Sequence, residues 1–303
     1  MTTFSVLICT YNRPHMLEMA LDALLNRTFQ KPDQVVIVNG GDERSDRIVE
    51  DYQKRTNIEV KLVKTVNKNL AASRNVGLPH CLGDIIAWTD DDAEVFPDWV
   101  TQMKRLHTEH PEAGGVGGAV LGAESDKSLL SRIADVAAFP SSPQPRYVRT
   151  IAGVNVSYKR EVVQAVGSQD ETLFRGEDVD FNWRVKRLGY EIYYWPEIKV
   201  IHHHRAALGQ LIHQFYMYGR SYYLVRRKWP EMYCVYPHRI RRANDLFRLI
   251  YFMGSTVFDP FASALKLPTW VDRILALPVE YVLHMAWKSG MVVQRLEKRA
   301  EEP

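Results

Sequence analysis

At 303 residues, 46% hydrophobic and 25% charged, the chain can hold one large α/β domain, or one domain with a sizeable appendage. A formal net charge of +3 excludes a surface built throughout for nucleic acid. The three cysteines, Cys9, Cys81 and Cys234, have no paired spacing, which excludes a disulfide framework or cysteine zinc site and suits a reducing cytoplasm.

Strands rich in Val and Ile are predicted over residues 4–10, 34–40, 59–65, 84–89 and 115–121. Helix-length segments separate them at 14–27, 44–55, 70–80 and 97–110, with start signals in Pro14 after Asn12-Arg13 and in Pro97 before Asp98. This alternation implies βαβ units and a mainly parallel sheet covered by helices on both faces. Ligands of such sheets bind beyond the carboxyl ends of the strands. The candidates are therefore Tyr11-Asn12-Arg13, Asn39-Gly40-Gly41-Asp42 and Asp90-Asp91-Asp92. Residues 125–149 read as a connecting loop with one short helix over 127–138. Further strands are predicted at 152–159 and 191–202, flanking a helix over 178–188. From Leu208 onward the pattern is helical and amphipathic, with Leu208, Leu211, Ile212, Phe215 and Gly219 on one face. The opening MTTFSVLICTYNRP has no basic start and no long apolar run, so no secretory signal is expected. The longest uncharged stretch near the end, residues 249–258, falls well short of a membrane span.

Four constellations could carry chemistry. Asp90, Asp91 and Asp92 repel one another unless something cationic sits among them. Mg²⁺ and Mn²⁺ take one or two carboxylates together with phosphate oxygens and water, so a carboxylate pair at a strand end could hold such an ion against a diphosphate. An acidic turn helped by the dipole of the helix after Pro97 is the alternative. In Glu177-Asp178 one acid can be held by structure while the other faces a cleft. Asp178 is then either a helix cap or a general base. In His202-His203-His204 alternation puts the first and third on one face, as metal ligands or as a polar strand end. Residues 205–248 hold nine Lys/Arg against Glu231 and Asp245, interleaved with Tyr233, Tyr236 and other aromatics. Such a surface suits an anionic membrane or substrate, or is a solvated helical face. No nucleic-acid motif accompanies it.

Taken together, residues 4–225 resemble family 2 glycosyltransferases of the GT-A fold. The resemblance rests on SVLICTYNRP, NLAASRNVGL, DIIAWTDDDAEVFPDWV, AGVNVSYKREVVQAVG, GEDVDFNWRVKRLGYEIYYWP and VIHHHR, in that order. It implies a Rossmann-like α/β sheet flanked by helices, with a GT-A domain at 1–205 and a C-terminal helical region at 206–303. The first would divide into a nucleotide-sugar half at 1–122 and an acceptor half at 123–205. It further implies Tyr11, with Thr10 and Arg13, in the nucleotide base pocket. Many relatives carry an aspartate where this chain has Asn39, whose amide can still accept and donate to a base. Arg74 would meet the base or diphosphate, and Glu177 would also lie by the donor. Asp90 and Asp92 would be the outer members of an Asp-x-Asp motif, with Asp92 the metal ligand, Asp90 toward the sugar and ribose, and Asp91 least committed. Asp178 would be the catalytic base, and His202, or less so His204, would complete a Mn²⁺ or Mg²⁺ site. The implied reaction is inverting transfer from a nucleotide-diphospho sugar, UDP favoured, to a polysaccharide or lipid-linked glycan. It would run in the cytoplasm, peripheral to the inner membrane face.

The rivals lack their own signatures. A dehydrogenase needs G-x-G-x-x-G after the first strand, where this chain has Thr10-Tyr11-Asn12-Arg13-Pro14. A sugar-1-phosphate nucleotidyltransferase would open with a glycine-rich phosphate loop. A sugar-nucleotide-binding protein without transfer activity would have little use for Asp92, Asp178 and the histidines together.

Overall fold

The structure is a computed structural model that describes residues 2–123, 128–138, 142–203, 207–232 and 240–300. The expectations for His204, Arg205, Tyr233, Cys234, Tyr236 and Arg239 lie outside the described residues. In chain order the elements begin with β1 (Phe4–Thr10), α1 (Pro14–Asp22), β2 (Gln34–Asn39), α2 (Glu43–Arg55), β3 (Glu59–Lys64) and α3 (Leu70–Gly77). Next come β4 (Ile85–Asp90), β5 (Ala93–Val95), α4 (Trp99–Glu109), β6 (Ala113–Gly122) and α5 (Leu129–Ala138). β7 (Arg146–Tyr147), β8 (Val156–Lys159), α6 (Arg160–Val166), α7 (Glu177–Arg187) and β9 (Glu191–His202) follow. The chain continues through α8 (Leu208–Lys228), α9 (Ala243–Ala264) and α10 (Trp270–Ala300). It divides into two compact units, Met1–Ala123 with Ser141–His204, and Glu124–Pro140 with Arg205–Pro303. The described residues 128–138, expected in the acceptor half, fall in the second unit.

The first unit is built on one sheet in the order β3-β2-β1-β4-β8-β6-β9-β5, with β7 also on β9. β1 to β4 run parallel, β8 is antiparallel to both β4 and β6, and β5 and β7 are antiparallel to β9. The sheet is thus mixed, and parallel only in its first half and at β6–β9. Strands covered on both faces need continuous apolar runs. β2 meets that condition, with Gln34 to Asn39 all buried. Trp88, Tyr158 and Phe181 interlock at the centre, with ring centroids 4.8 to 5.1 Å apart. Burying aromatic surface of this size contributes most of the local core energy.

The register aligns the strand ends. Thr10 lies opposite Asn39, and Cys9 opposite Asp90, so the carboxyl ends of β1, β2 and β4 share one edge. Three elements are not predicted by the sequence patterns: β5, β7 and α6, of three, two and seven residues. Each is too short to show a period. β8 starts at Val156, and residues 152–155, expected as strand, form a turn instead.

The second unit is helical. α5 and α9 pack with α10 around Ile133, Leu211, Ala264, Leu267, Ala276 and Leu283. Of the apolar face expected on α8, Leu211 and Gly219 are buried and Ile212 and Phe215 pack against that core, whereas Leu208 is exposed. The basic stripe expected there is partly internal: Arg220 donates to Gln294 at 2.8 Å, and Arg226 lies 4.7 Å above the Tyr222 ring. Among the described residues no helix is long and apolar enough to cross a membrane.

Candidate active site

The acidic triplet is a tight turn between β4 and β5, and β5 is what gives it a partner. β5 pairs antiparallel with the end of β9, putting Ala93 opposite His202, and the His203 N–H continues the ladder to the Asp92 carbonyl at 2.8 Å. His202 Nε2 therefore lies 3.3 Å from Asp92 Oδ1. Asp90, Asp92 and His202 each offer a ligand atom within 4.8 Å of the others, the one such group among the described residues. Two carboxylates and an imidazole fit Mn²⁺ or Mg²⁺ in donor type. His203 points elsewhere, with Nε2 2.6 Å from Glu94, which also binds Arg27 at 2.5 Å.

The three aspartates have different surroundings. Asp92 binds Arg13 at 2.5 Å as well as His202. Burial acts against its charge, but the His202 hydrogen bond and Arg13 outweigh this and lower its pKa to about 2. His202 responds in kind: burial opposes its charged form, and Asp92 raises its pKa nonetheless. Asp91 is fully buried, accepts from the Thr10 hydroxyl at 2.7 Å and pairs with Arg13. Burial pushes it up to about 7, against the pull of Arg13. Asp90 meets Arg74 at 3.2 Å, and burial raises its pKa in spite of that contact.

Arg74 joins the triplet to the second acidic segment. It is only 2% exposed, binds Glu177 at 3.3 Å and the Gly153 carbonyl at 3.3 Å, and lies 5.0 Å above the Trp88 ring. Burial and the neighbouring Asp178 push Glu177 up to about 7. A side chain at position 153 would strike Arg74, since a Cβ there would stand 2.9 Å from Nη1. Asp178 is half-buried, and the backbone N–H groups of Gly153 and Val179 donate to it at 3.1 and 2.8 Å. Gly176 starts α7 at φ 74, a left-handed conformation that glycine adopts freely.

Five residues expected at the donor are buried: Thr10, Asn39, Arg74, Asp91 and Glu177. Thr10 and Asp91 hold each other, and Arg74 and Glu177 do the same. Both hydrogens of the Asn39 amide are used, on Asp46 at 2.8 Å and the Asp42 carbonyl at 2.9 Å, while its oxygen accepts from Gly41. The donor half of the expected base contact is thus already taken. Tyr11, 48% exposed, and the half-exposed Arg13 remain accessible. Gly153, which no sequence pattern marks, supports this edge by serving Asp178 and Arg74 through its backbone. Asn12, one of the expected strand-end residues, stands at φ 53, accepts from the Asp42 N–H at 2.9 Å and ties the first two loops together.

The profile of Glycosyl transferase family 2 matches residues 5–165. The glucosyl-dolichyl phosphate glucuronosyltransferase of Haloferax volcanii is 26% identical over 281 residues, covering 89% of this chain and 85% of that protein. The dolichyl N-acetyl-alpha-D-glucosaminyl phosphate 3-beta-D-2,3-diacetamido-2,3-dideoxy-beta-D-glucuronosyltransferase of Methanococcus voltae is 21% identical over 243 residues, 75% of each chain. A mannosyltransferase from Pyrobaculum calidifontis, solved with GDP-Man and Mn²⁺, shares the fold. Its TM-score is 0.67 at 15% identity, covering 98% of this chain and 88% of that one.

Proposed function

Because this chain belongs to glycosyl transferase family 2, has the GT-A fold and is a glycosyltransferase, we propose that it moves a sugar from a nucleotide-diphospho sugar to a hydroxyl of a lipid-linked glycan, inverting the anomeric centre. The observation that carries this reading is the Asp90, Asp92 and His202 group at the strand-end edge, joined through Arg74 to Glu177 and Asp178. The names of the two similar transferases support a lipid-linked acceptor. A UDP-sugar is the expected donor, and the cytoplasmic membrane face the expected place of reaction.

Asp92 and His202, with Asp90 beside them, would hold a divalent cation. Bound there, such an ion supplies Lewis-acid stabilisation of charge on the departing diphosphate. Tyr11 and Arg13 contact the donor, and the buried Thr10, Asn39, Arg74, Asp91 and Glu177 fix the loops that carry them. Asp178 takes the proton of the acceptor hydroxyl as its oxygen bonds to the anomeric carbon. The bond from that carbon to the diphosphate breaks, and its electron pair leaves with the nucleotide diphosphate.

Asp178→Asn is expected to lower transfer about 10²–10⁴-fold, the usual effect of losing a general base, with the donor-induced rise in melting temperature retained. Wild-type turnover in this variant would remove Asp178 from the role. A wild-type protein that binds the donor with Mn²⁺ yet neither transfers nor hydrolyses it would instead be a sugar-nucleotide-binding protein. A thermal-shift series of UDP-, GDP- and dTDP-sugars settles the base.

A further inference from the structure

Helices α9 and α10 distribute polarity in the opposite sense to a helix pair in water. Every exposed position within α9 is uncharged. Leu246, Phe247, Ile250, Met253, Val257 and Phe258 recur at helical spacing and form one outward stripe, with Phe247 66% and Phe258 71% exposed. The charged residues of α9, Asp245, Arg248 and Asp259, are less exposed than this stripe, and Asp245 accepts from the N–H groups of Arg241 and Arg242. In α10 three charges, Asp272, Glu280 and Lys288, are buried, while Trp270, Val271, Ile274 and Leu275 face outward in its first turns; Arg273 and, near the far end, Glu297 are exposed. Lys288 Nζ is satisfied inside, on the Phe252 carbonyl at 2.7 Å and on the hydroxyls of Ser255 and Thr256 at 2.8 and 2.9 Å.

Soluble helices turn their charges outward. Charge within and large apolar side chains without is the arrangement of protein surrounded by hydrocarbon. Since no described helix can cross a bilayer, the stripe would lie along one, in the manner of an interfacial helix. The charge around it identifies the lipid. Exposed Arg241 and Arg242 precede α9, and exposed Lys266 and Arg273 follow it, so both ends are complementary to anionic head groups. Trp270, 72% exposed, stands between the last two, where an indole suits the head-group level.

We infer that the outer face of α9, with the first turns of α10, docks into the head-group and acyl boundary of an anionic bilayer. This deepens the lipid-linked-acceptor reading above and rests on it for its purpose. The basic stretch of residues 205–248 supplies part of the rim, and the apolar anchor lies beyond most of it.

The test is flotation of the full chain with vesicles of phosphatidylcholine alone or mixed with phosphatidylglycerol. Wild type is expected to float with the mixed vesicles. F247E/F258E is expected to reduce partitioning by about tenfold or more, because interfacial binding follows buried apolar area. R241E/R242E should weaken binding to the mixed vesicles and leave the neutral ones little changed. Phe258→Ser alone serves if circular dichroism shows that the glutamates disturb folding. Wild type left in the lipid-free fraction at low salt, or F247E/F258E floating like wild type, overturns the inference. A wild-type dimer that F247E/F258E converts to monomer, with neither form floating, also overturns it and assigns the face to a second copy of the chain. Donor-induced thermal shift is read on the same samples. Flotation without donor binding counts against the functional reading alone, and donor binding without flotation against this inference alone.

Discussion

Replacing Arg74 by Met tests whether the buried layer beneath the site is held by charge. The guanidinium, 2% exposed, meets Asp90 at 3.2 Å and Glu177 at 3.3 Å and lies over Trp88. Methionine preserves most of the length and can still rest on the indole, so the change removes the cation with little loss of volume. Taking one partner from a buried ion pair costs about 3–5 kcal/mol, because the remaining charge is left without compensation. Two acids share this cation, but Glu177, already pushed up to about 7, can take a proton and lose its charge. The loss should therefore be largest above pH 7 and smaller by about 1–2 kcal/mol near pH 5.5. It is a large part of the roughly 5–15 kcal/mol that holds a domain folded. Urea denaturation of chelator-treated protein at the two pH values measures it. Arg74→Met/Glu177→Gln should recover about 1–2 kcal/mol by removing one orphaned acid. A penalty below about 0.5 kcal/mol at both pH values, or no coupling between positions 74 and 177, would show that packing and not charge holds this layer.

His202→Gln should weaken Mn²⁺ binding at least about tenfold, since even outer-shell changes reach that size, whereas His203→Gln, which faces Glu94, should leave it near wild type. Electron paramagnetic resonance titration reads both, and equal losses would refute the assignment of His202. In metal-free protein Glu177 and Asp91 are each raised to about 7 from ordinary values of 4.5 and 3.8. The folded state then binds their protons more tightly than the unfolded state, so this stability is present at low pH and declines as pH rises toward 7. The slope reaches up to about 1.4 kcal/mol per pH unit for each group, and a urea midpoint that does not fall between about pH 5 and 7 would contradict it. Gly176→Ala, at φ 74, should cost about 1–2 kcal/mol and depress transfer by disturbing the start of α7. Gly189→Ala, at φ 89 with open space around it, should cost a similar amount and leave transfer per folded molecule unchanged.

The parallel half of the fold was legible because strands buried on both faces, such as β2, require continuous apolar runs, and the helices between them carry ordinary start signals. β5 was not, because three residues carry no period and its partner on β9 lies more than a hundred positions away in sequence. That strand brings His202 to Asp92, so the Asp90, Asp92 and His202 group could be suspected from the sequence but not assembled. Alternation correctly separated His203 from His202. It could not sort the triplet, since adjacent residues in a turn have no fixed in-and-out order. Thr10, Arg74 and Glu177 show a second limit. Polar residues at a strand end or on a helix look alike in sequence whether they face a ligand or one another, and the Arg74–Glu177 contact spans 103 positions.

The distinction between acids that face fixed partners and acids at the open edge also accounts for the three consecutive aspartates. Adjacent carboxylates can coexist only where each has its own compensation. The fold gives Asp90 to Arg74, Asp91 to Thr10 and Arg13, and Asp92 to Arg13 and His202. Glu177 and Asp178 add two more acids near Arg74, so the carboxyls outnumber the fixed cations. The raised pKa values of Asp90, Asp91 and Glu177 reflect their burial and that surplus together. Asp91 turns inward and serves the loop, which leaves Asp90 and Asp92 on either side of it at the edge that His202 reaches. One buried acid between two that remain partly open is how a simple turn can present an Asp-x-Asp pair and stay anchored.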